Sequence, residues 1–139
     1  MKKLICILLA ILCVAALFAG CSKKPVYVDG TARFTEDTTL GKGSKIITVT
    51  VTDNEGKNVV FTIKTDAKTV GDALLENELI AGDEGAYGLY VKVVNGLRAD
   101  YDKDKAYWAF MIDGEMAMTG VDMTDIVDGG KYELVYTVG

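Results

Sequence analysis

The chain has 139 residues, with 15 basic and 20 acidic side chains, a formal net charge of −5, and no histidine. An acidic surface argues against nucleic-acid binding, and the lack of histidine removes the commonest base and metal ligand near neutral pH. Half of the residues are hydrophobic, enough for one modest core but not for several.

Met1-Lys2-Lys3 is a short basic start, and Leu4 to Ala19 is an unbroken run of 16 apolar residues ending in Gly20-Cys21. A membrane-spanning helix needs about 20 apolar residues, whereas a run of this length fits the apolar region of an export signal. The ending "LFAGC" resembles a bacterial lipoprotein signal. That resemblance makes residues 1–20 a signal peptide and implies that Cys21 carries lipid, palmitate included. It also implies a place on the extracytoplasmic face of the cell membrane. More than one acyl chain, at about 0.8 kcal/mol per buried methylene, gives stable anchoring. Cys6 and Cys13 leave with the signal, so no pair of thiols remains for a disulfide. Loss of Lys2 and Lys3 leaves 13 basic against 20 acidic side chains, a net charge of −7.

Residues 21–44 are polar, hold the only proline (Pro25) and read as a flexible tether. A coil of that length spans roughly 25–30 Å on average. Within it "VYVDGTARF" alternates enough to add an edge strand instead.

Residues 45–139 read as one folded domain. In "KIITVTVT", Ile47, Val49 and Val51 alternate with Thr48, Thr50 and Thr52. In "NVVFTIKT", Val59, Phe61 and Ile63 are in phase. With the turn "DNEGK" between them these runs predict a hairpin. The period then changes. "TVGDALLENELI" predicts a helix of about three turns, capped by Thr69 with Asp72 three residues on and stopped at Gly82. "GLYVKVVNG", "AYWAFMID", "EMAMTGV" and "KYELVYTV" predict further strands, and Asp113-Gly114 suits a tight hairpin. "DMTDIVDGG" reads as a loop with one helical turn. The expected fold class is therefore α+β, a mixed sheet with one helix on one face.

Catalysis is not expected. No histidine and no free mature cysteine is available to activate a nucleophile, and no phosphate-cradling glycine loop precedes the helix. Asp100, Asp102 and Asp104 suggest a cation loop. A calcium loop of the EF type starting at Asp100 would need glycine and glutamate where Lys105 and Met111 stand. Lys103 and Lys105 would also oppose the ion. A solvated connection is the simpler reading, and no metal site is expected.

The strand "YWAFMI" is apolar on both faces: Trp108, Phe110 and Ile112 on one, Tyr107, Ala109 and Met111 on the other. With one predicted helix, only one sheet face has obvious cover. Met111, Met116, Met118 and Met123, the four methionines after the signal, all lie in this region. Flexible thioethers beside aromatics suit a surface that accepts an apolar partner; ordinary core filling is the alternative.

Read together, "TVGDALLE" and "YGLYVKVVNGLRADYDKDKAYWAFMIDGEMAMTGVDMTDIVDGGKYELVYT" resemble a family of bacterial surface lipoproteins similar to the carboxy-terminal domain of transcobalamin and intrinsic factor. The resemblance covers roughly residues 45–139. Its most specific parts are Tyr107-Trp108, Gly120-Val121 and the closing "DGGKYELVYT". It implies a β-grasp-like sheet and a role beside cobalamin, another corrinoid or a similarly flat ligand. Tyr107, Trp108 and Met111 would lie near that ligand, with Met116, Met118, Gly120 and Val121. The helical partner domain of the vertebrate carriers has no counterpart in this sequence. With no histidine, a corrinoid must be held by its face and edges. Two functions follow: a lipid-anchored protein that captures a corrinoid or related small ligand, alone or with a transporter, or a surface module that docks another protein.

Overall fold

The computed structural model describes residues 30–86 and 88–139. The expected signal peptide, Cys21 and the tether as far as residue 29 lie outside the described residues.

Among the described residues nine strands make two sheets. In the larger one, β1 (Thr38–Gly41), β2 (Lys45–Thr52), β3 (Asn58–Thr65), β7 (Ala106–Ile112), β8 (Glu115–Met116) and β9 (Lys131–Val138) lie in the order β1-β3-β2-β9-β7-β8. The smaller sheet is β4 (Ile80–Gly85), β5 (Gly88–Val94) and β6 (Leu97–Arg98) in sequence order. Helix α1 (Val70–Glu76) and the short helix α2 (Tyr101–Asp104) complete the chain, with one 3₁₀ turn at Val121–Met123.

The β2–β3 hairpin forms as its alternation predicts. Ile47 faces Ile63 and Val49 faces Phe61 across it, and all four are fully buried. Thr48, Thr50 and Thr62, on the other face, are half-buried. Strand β9 then pairs parallel to β2 and antiparallel to β7, which puts the carboxy-terminal strand at the centre of the sheet. At Asp113-Gly114 both residues take positive φ (51° and 83°), the backbone of a two-residue hairpin turn, and β8 follows directly. Of the run "EMAMTGV" only Glu115 and Met116 are strand.

The expected α+β class, with one mixed sheet and a single helix, is not what the chain adopts. Among the described residues strands take 50% and helix 13%, in two sheets with two helices. The sequence-predicted three-turn helix is the source of the error. Thr69 does cap it, its side chain accepting the Asp72 N–H at 3.1 Å. The helix nevertheless ends at Glu76, because Glu78 takes a positive φ of 56° and turns the chain off the helical path. Leu79 and Ile80, the last residues of the expected helical segment, instead enter the core at the start of β4. Gly82 is not a helix stop but the seat of a β-bulge, where a Cβ would lie 1.9 Å from the Tyr90 carbonyl oxygen. The segment "LIAGDEG" thus pairs with β5 as a second sheet.

That second sheet and α1 cover one face of the larger sheet. Val70, Ala73 and Leu74 of α1, Ile80 and Val94 of the small sheet, and Val121 join Ile47, Phe61, Trp108 and Leu134 in one buried cluster. The other face of the six-stranded sheet carries no element among the described residues. Residues 30–44 are packed rather than free of the domain. Phe34 meets Phe61 edge-on at 5.6 Å, and Thr38 to Gly41 pair with β3.

Candidate functional site

Strand β7 sorts its side chains as strictly as the pleat requires. Trp108 is 6% exposed; its indole N–H donates to the Leu97 carbonyl at 3.2 Å and its ring meets Tyr136 edge-on at 5.5 Å. Phe110 stacks on Tyr132 at 6.1 Å. These residues look inward. Tyr107, Ala109 and Met111, one residue out of phase, look to the uncovered face.

Pairing register extends that face across neighbouring strands. Tyr107 lies opposite Thr137, Ala109 opposite Val135 and Met111 opposite Glu133 on β9. On its other side Met111 lies opposite Met116 of β8. Since directly opposed residues share a face, Tyr107, Ala109, Met111, Met116 and Val135 make one apolar corner at the edge of the sheet. Tyr107 and Met111 are half-buried and Met116 is 59% exposed. Toward the middle of the sheet the same face turns polar, with Thr50 beside Glu133 and Thr48 beside Thr62.

The seven residues expected from sequence do not converge on one surface. Tyr107, Met111 and Met116 share the outer corner. Met118, in the loop after β8, is 98% exposed. Gly120 is exposed and starts the 3₁₀ turn, whereas Val121 is 2% exposed and belongs to the core packed against α1. Trp108 likewise faces the core, on the opposite side of β7 from Tyr107 and Met111.

The aspartate ladder is a helix start. The carboxylate of Asp100 accepts the N–H groups of Asp102 and Lys103 at 3.0 and 3.2 Å, capping α2. Lys105 closes that helix in the left-handed region, at φ 53°. Among the described residues no three carboxylates or thiols come together as metal ligands. Beside the ladder, Lys92 and Asp83 pair at 2.6 Å. The Lys92 ammonium, hydrogen-bonded to Asp83, holds that carboxyl below its usual range, and Asp83 raises Lys92 in turn.

Val135 and Thr137 were not singled out by sequence reasoning, nor were Glu133 and Thr50. Their placement depends on β9 lying between β2 and β7, a long-range pairing without a local signature. Only the alternation of "KYELVYTV" pointed that way.

Known proteins share this fold. Residues 67–137 match the profile of a domain of unknown function, DUF4430. No curated protein matches the sequence. Among solved structures, a protein from Ruminococcus gnavus, provisionally assigned as metal-binding, is 36% identical with a TM-score of 0.66. The match covers 69% of this chain and 99% of that one. The structure of haptocorrin in complex with cobinamide matches with a TM-score of 0.51 at 21% identity, over 68% of this chain. It spans only 25% of haptocorrin, and at that identity it speaks to the fold alone. On that level it supports the transcobalamin-like fold expected from the sequence, with the class corrected to mainly β.

Proposed function

The chain belongs to the DUF4430 family, and from that premise we propose that it is a non-catalytic binding protein, held to the extracytoplasmic face of the membrane by lipid on Cys21. Its ligand in this reading is a corrinoid or a similarly flat small molecule.

The observation that carries the proposal is the outer corner of the six-stranded sheet. Tyr107, Ala109, Met111, Met116 and Val135 share one face that no described element covers. A flat macrocycle laid there gains roughly 25 cal/mol per Å² of apolar surface removed from water. A tyrosine face and thioethers are well suited to such stacking. Glu133, Thr50 and Thr137 border the corner and can hydrogen-bond the amide edges of a corrinoid. Haptocorrin, whose fold is similar, was solved with cobinamide, and a corrinoid here is consistent with that likeness of fold. The metal-binding assignment of the Ruminococcus gnavus protein is a weaker guide, because Asp100, the head of the one acidic ladder, already caps α2.

The test is an absorbance titration of the full-length chain in detergent with cobinamide and cobalamin. A saturable shift that weakens in Tyr107→Ala and Met111→Ala is expected. Titrations that stay linear to millimolar protein would remove the corrinoid. The anchor is tested separately: Cys21→Ala should abolish labelling by a palmitate analogue, and labelling that persists through Cys6 or Cys13 would contradict it.

One observation favours a second reading, in which the partner is a transporter subunit or another surface protein. Met118 is 98% exposed and Met123 62% exposed in the segment that follows Met116. A loop of exposed methionines is more than a flat ligand requires and suits an adaptable protein contact.

A further inference from the structure

A cavity of about 360 Å³ lies away from the outer corner, between residues 32–35, the end of the β2–β3 hairpin and the β5–β6 turn. Phe34, Val51, Val59 and Leu97 supply its apolar walls, and Asp53 and Lys57, four residues apart across the hairpin turn, are its charged lining.

The space is held open by a fixed roof. Asn95 is 2% exposed, and its side chain treats Phe34 as a strand partner. Its Oδ1 accepts the Phe34 N–H and its Nδ2 donates to the Phe34 carbonyl, both at 2.9 Å. The Arg33 N–H donates to the Asn95 carbonyl at 2.9 Å, and the Arg33 guanidinium donates to the Glu78 carbonyl. Phe34 then leans edge-on against Phe61. A loop fastened at this many points cannot settle into the cavity below it without breaking buried hydrogen bonds. The site is therefore formed before any ligand arrives.

The two charges of the lining are only partly engaged. One carboxylate oxygen of Asp53 accepts the N–H groups of Glu55 and Lys57 at 2.8 and 2.9 Å, while its second oxygen has no partner among the described residues. Among the described residues the Lys57 ammonium reaches only Glu55, at 3.6 Å, in a pair whose side chains are 75% and 68% exposed. A ligand carboxylate can displace so loose a surface contact. One acid and one base together, beside an apolar wall, match a molecule that carries both charges at one end and a hydrocarbon body at the other. The volume sits near the lower limit for small-molecule sites, roughly 300–1,000 Å³, which admits an amino acid and excludes a macrocycle. We propose that this cavity binds a free α-amino acid with an aliphatic or aromatic side chain. Asp53 takes its ammonium, Lys57 its carboxylate, and Phe34, Val51, Val59 and Leu97 its side chain.

This proposal does not rest on the corrinoid reading, and the two sites fail or succeed separately. The test is calorimetric titration of the full-length chain in detergent with L-leucine and L-phenylalanine. N-acetyl-leucine and leucinamide, each lacking one of the two charges, serve as controls. Saturable binding of at least one amino acid is expected, with affinity lowered about tenfold or more for each control and in Lys57→Met, the size of one lost charged contact. Asp53→Asn should weaken binding similarly while keeping the oxygen that accepts the turn amides, and its melting temperature reports whether the turn survives. Leu97→Trp should fill the cavity and abolish binding without changing the cobinamide titration. Absence of saturation with both amino acids at millimolar concentration would overturn the proposal. So would equal affinity for leucine and its one-charge analogues, or unchanged affinity in a folded Lys57→Met.

Discussion

Trp108 and Phe110 lie on the face of β7 that turns toward the second sheet and α1, where Trp108 is almost wholly buried and hydrogen-bonded. Tyr107 and Met111, their immediate neighbours in sequence, lie on the face that nothing described covers. Both sets are apolar enough for a core. What separates them is the single-residue phase of a strand in a sheet packed on one side only. The comparison teaches that an aromatic-rich strand is not one functional unit. Its even-numbered residues hold the fold, while on the odd-numbered face Tyr107 and Met111 stay partly exposed and Ala109 between them is buried.

The comparison is most easily broken at Trp108. Trp108→Ala removes a buried ring, its contact with Tyr136 and a hydrogen bond to Leu97, and should cost about 3–5 kcal/mol. That is enough to unfold a domain of ordinary stability, so circular dichroism should show a much lower or absent transition. A smaller loss is expected at the cap of α1, which holds the inner face covered. Thr69→Ala deletes the acceptor for the Asp72 N–H and should cost about 1 kcal/mol, read as a lower midpoint in urea, while Thr69→Ser should restore most of it. On the outer face, Tyr107→Ala and Met111→Ala should each cost less than about 1 kcal/mol, seen as nearly unchanged melting.

Acid sharpens the comparison least, at the edge of the same sheet. The backbone N–H and hydroxyl of Ser44 donate to Asp66 at 2.9 and 2.7 Å, and the backbone bond is the larger cause of its lowered pKa. A carboxyl lowered on folding stabilises fully above its unfolded value, 3.8, and loses that contribution as pH falls through the folded value. Melting followed from pH 6 to pH 2 should therefore show a slightly shallower acid loss in Asp66→Asn than in the parent chain. An identical acid limb would mean that the Ser44–Asp66 contact contributes nothing.

Much of the large sheet was legible in the sequence, because alternation at Ile47/Val49/Val51, Phe61/Ile63 and Trp108/Phe110 is local and each run has a single buried face. The Thr69 cap and the Asp113-Gly114 turn were legible for the same reason, since each satisfies its own neighbours' backbone. The second sheet was not. Leu79 and Ile80 continue a helical spacing from Val70 and Leu74, and nothing nearby reveals that Glu78 takes a positive φ and turns the chain into β4. The candidate site was half legible. Phase along "YWAFMI" placed Tyr107 and Met111 together, and a tight turn brought Met116 opposite Met111. Val121 was placed beside the same surface by the transcobalamin-like pattern at Gly120-Val121, which carries no information on which way the side chain faces. The 3₁₀ turn carries it to the other side of the sheet, into the core. Val135, Glu133 and Thr137 reach the corner through the antiparallel pairing of β9 with β7, across 22 to 30 residues of chain, which no local pattern encodes.

The division of β7 into a folding face and a binding face is tested most directly by measuring both properties on the same three variants. Trp108→Ala, Tyr107→Ala and Met111→Ala of the full-length chain would be melted and, where folded, titrated with cobinamide. The account predicts that Trp108→Ala loses the folded state, while Tyr107→Ala and Met111→Ala melt within a few degrees of the parent and bind cobinamide at least tenfold more weakly. Equal loss of stability in all three variants would contradict it, because both faces of β7 would then be core.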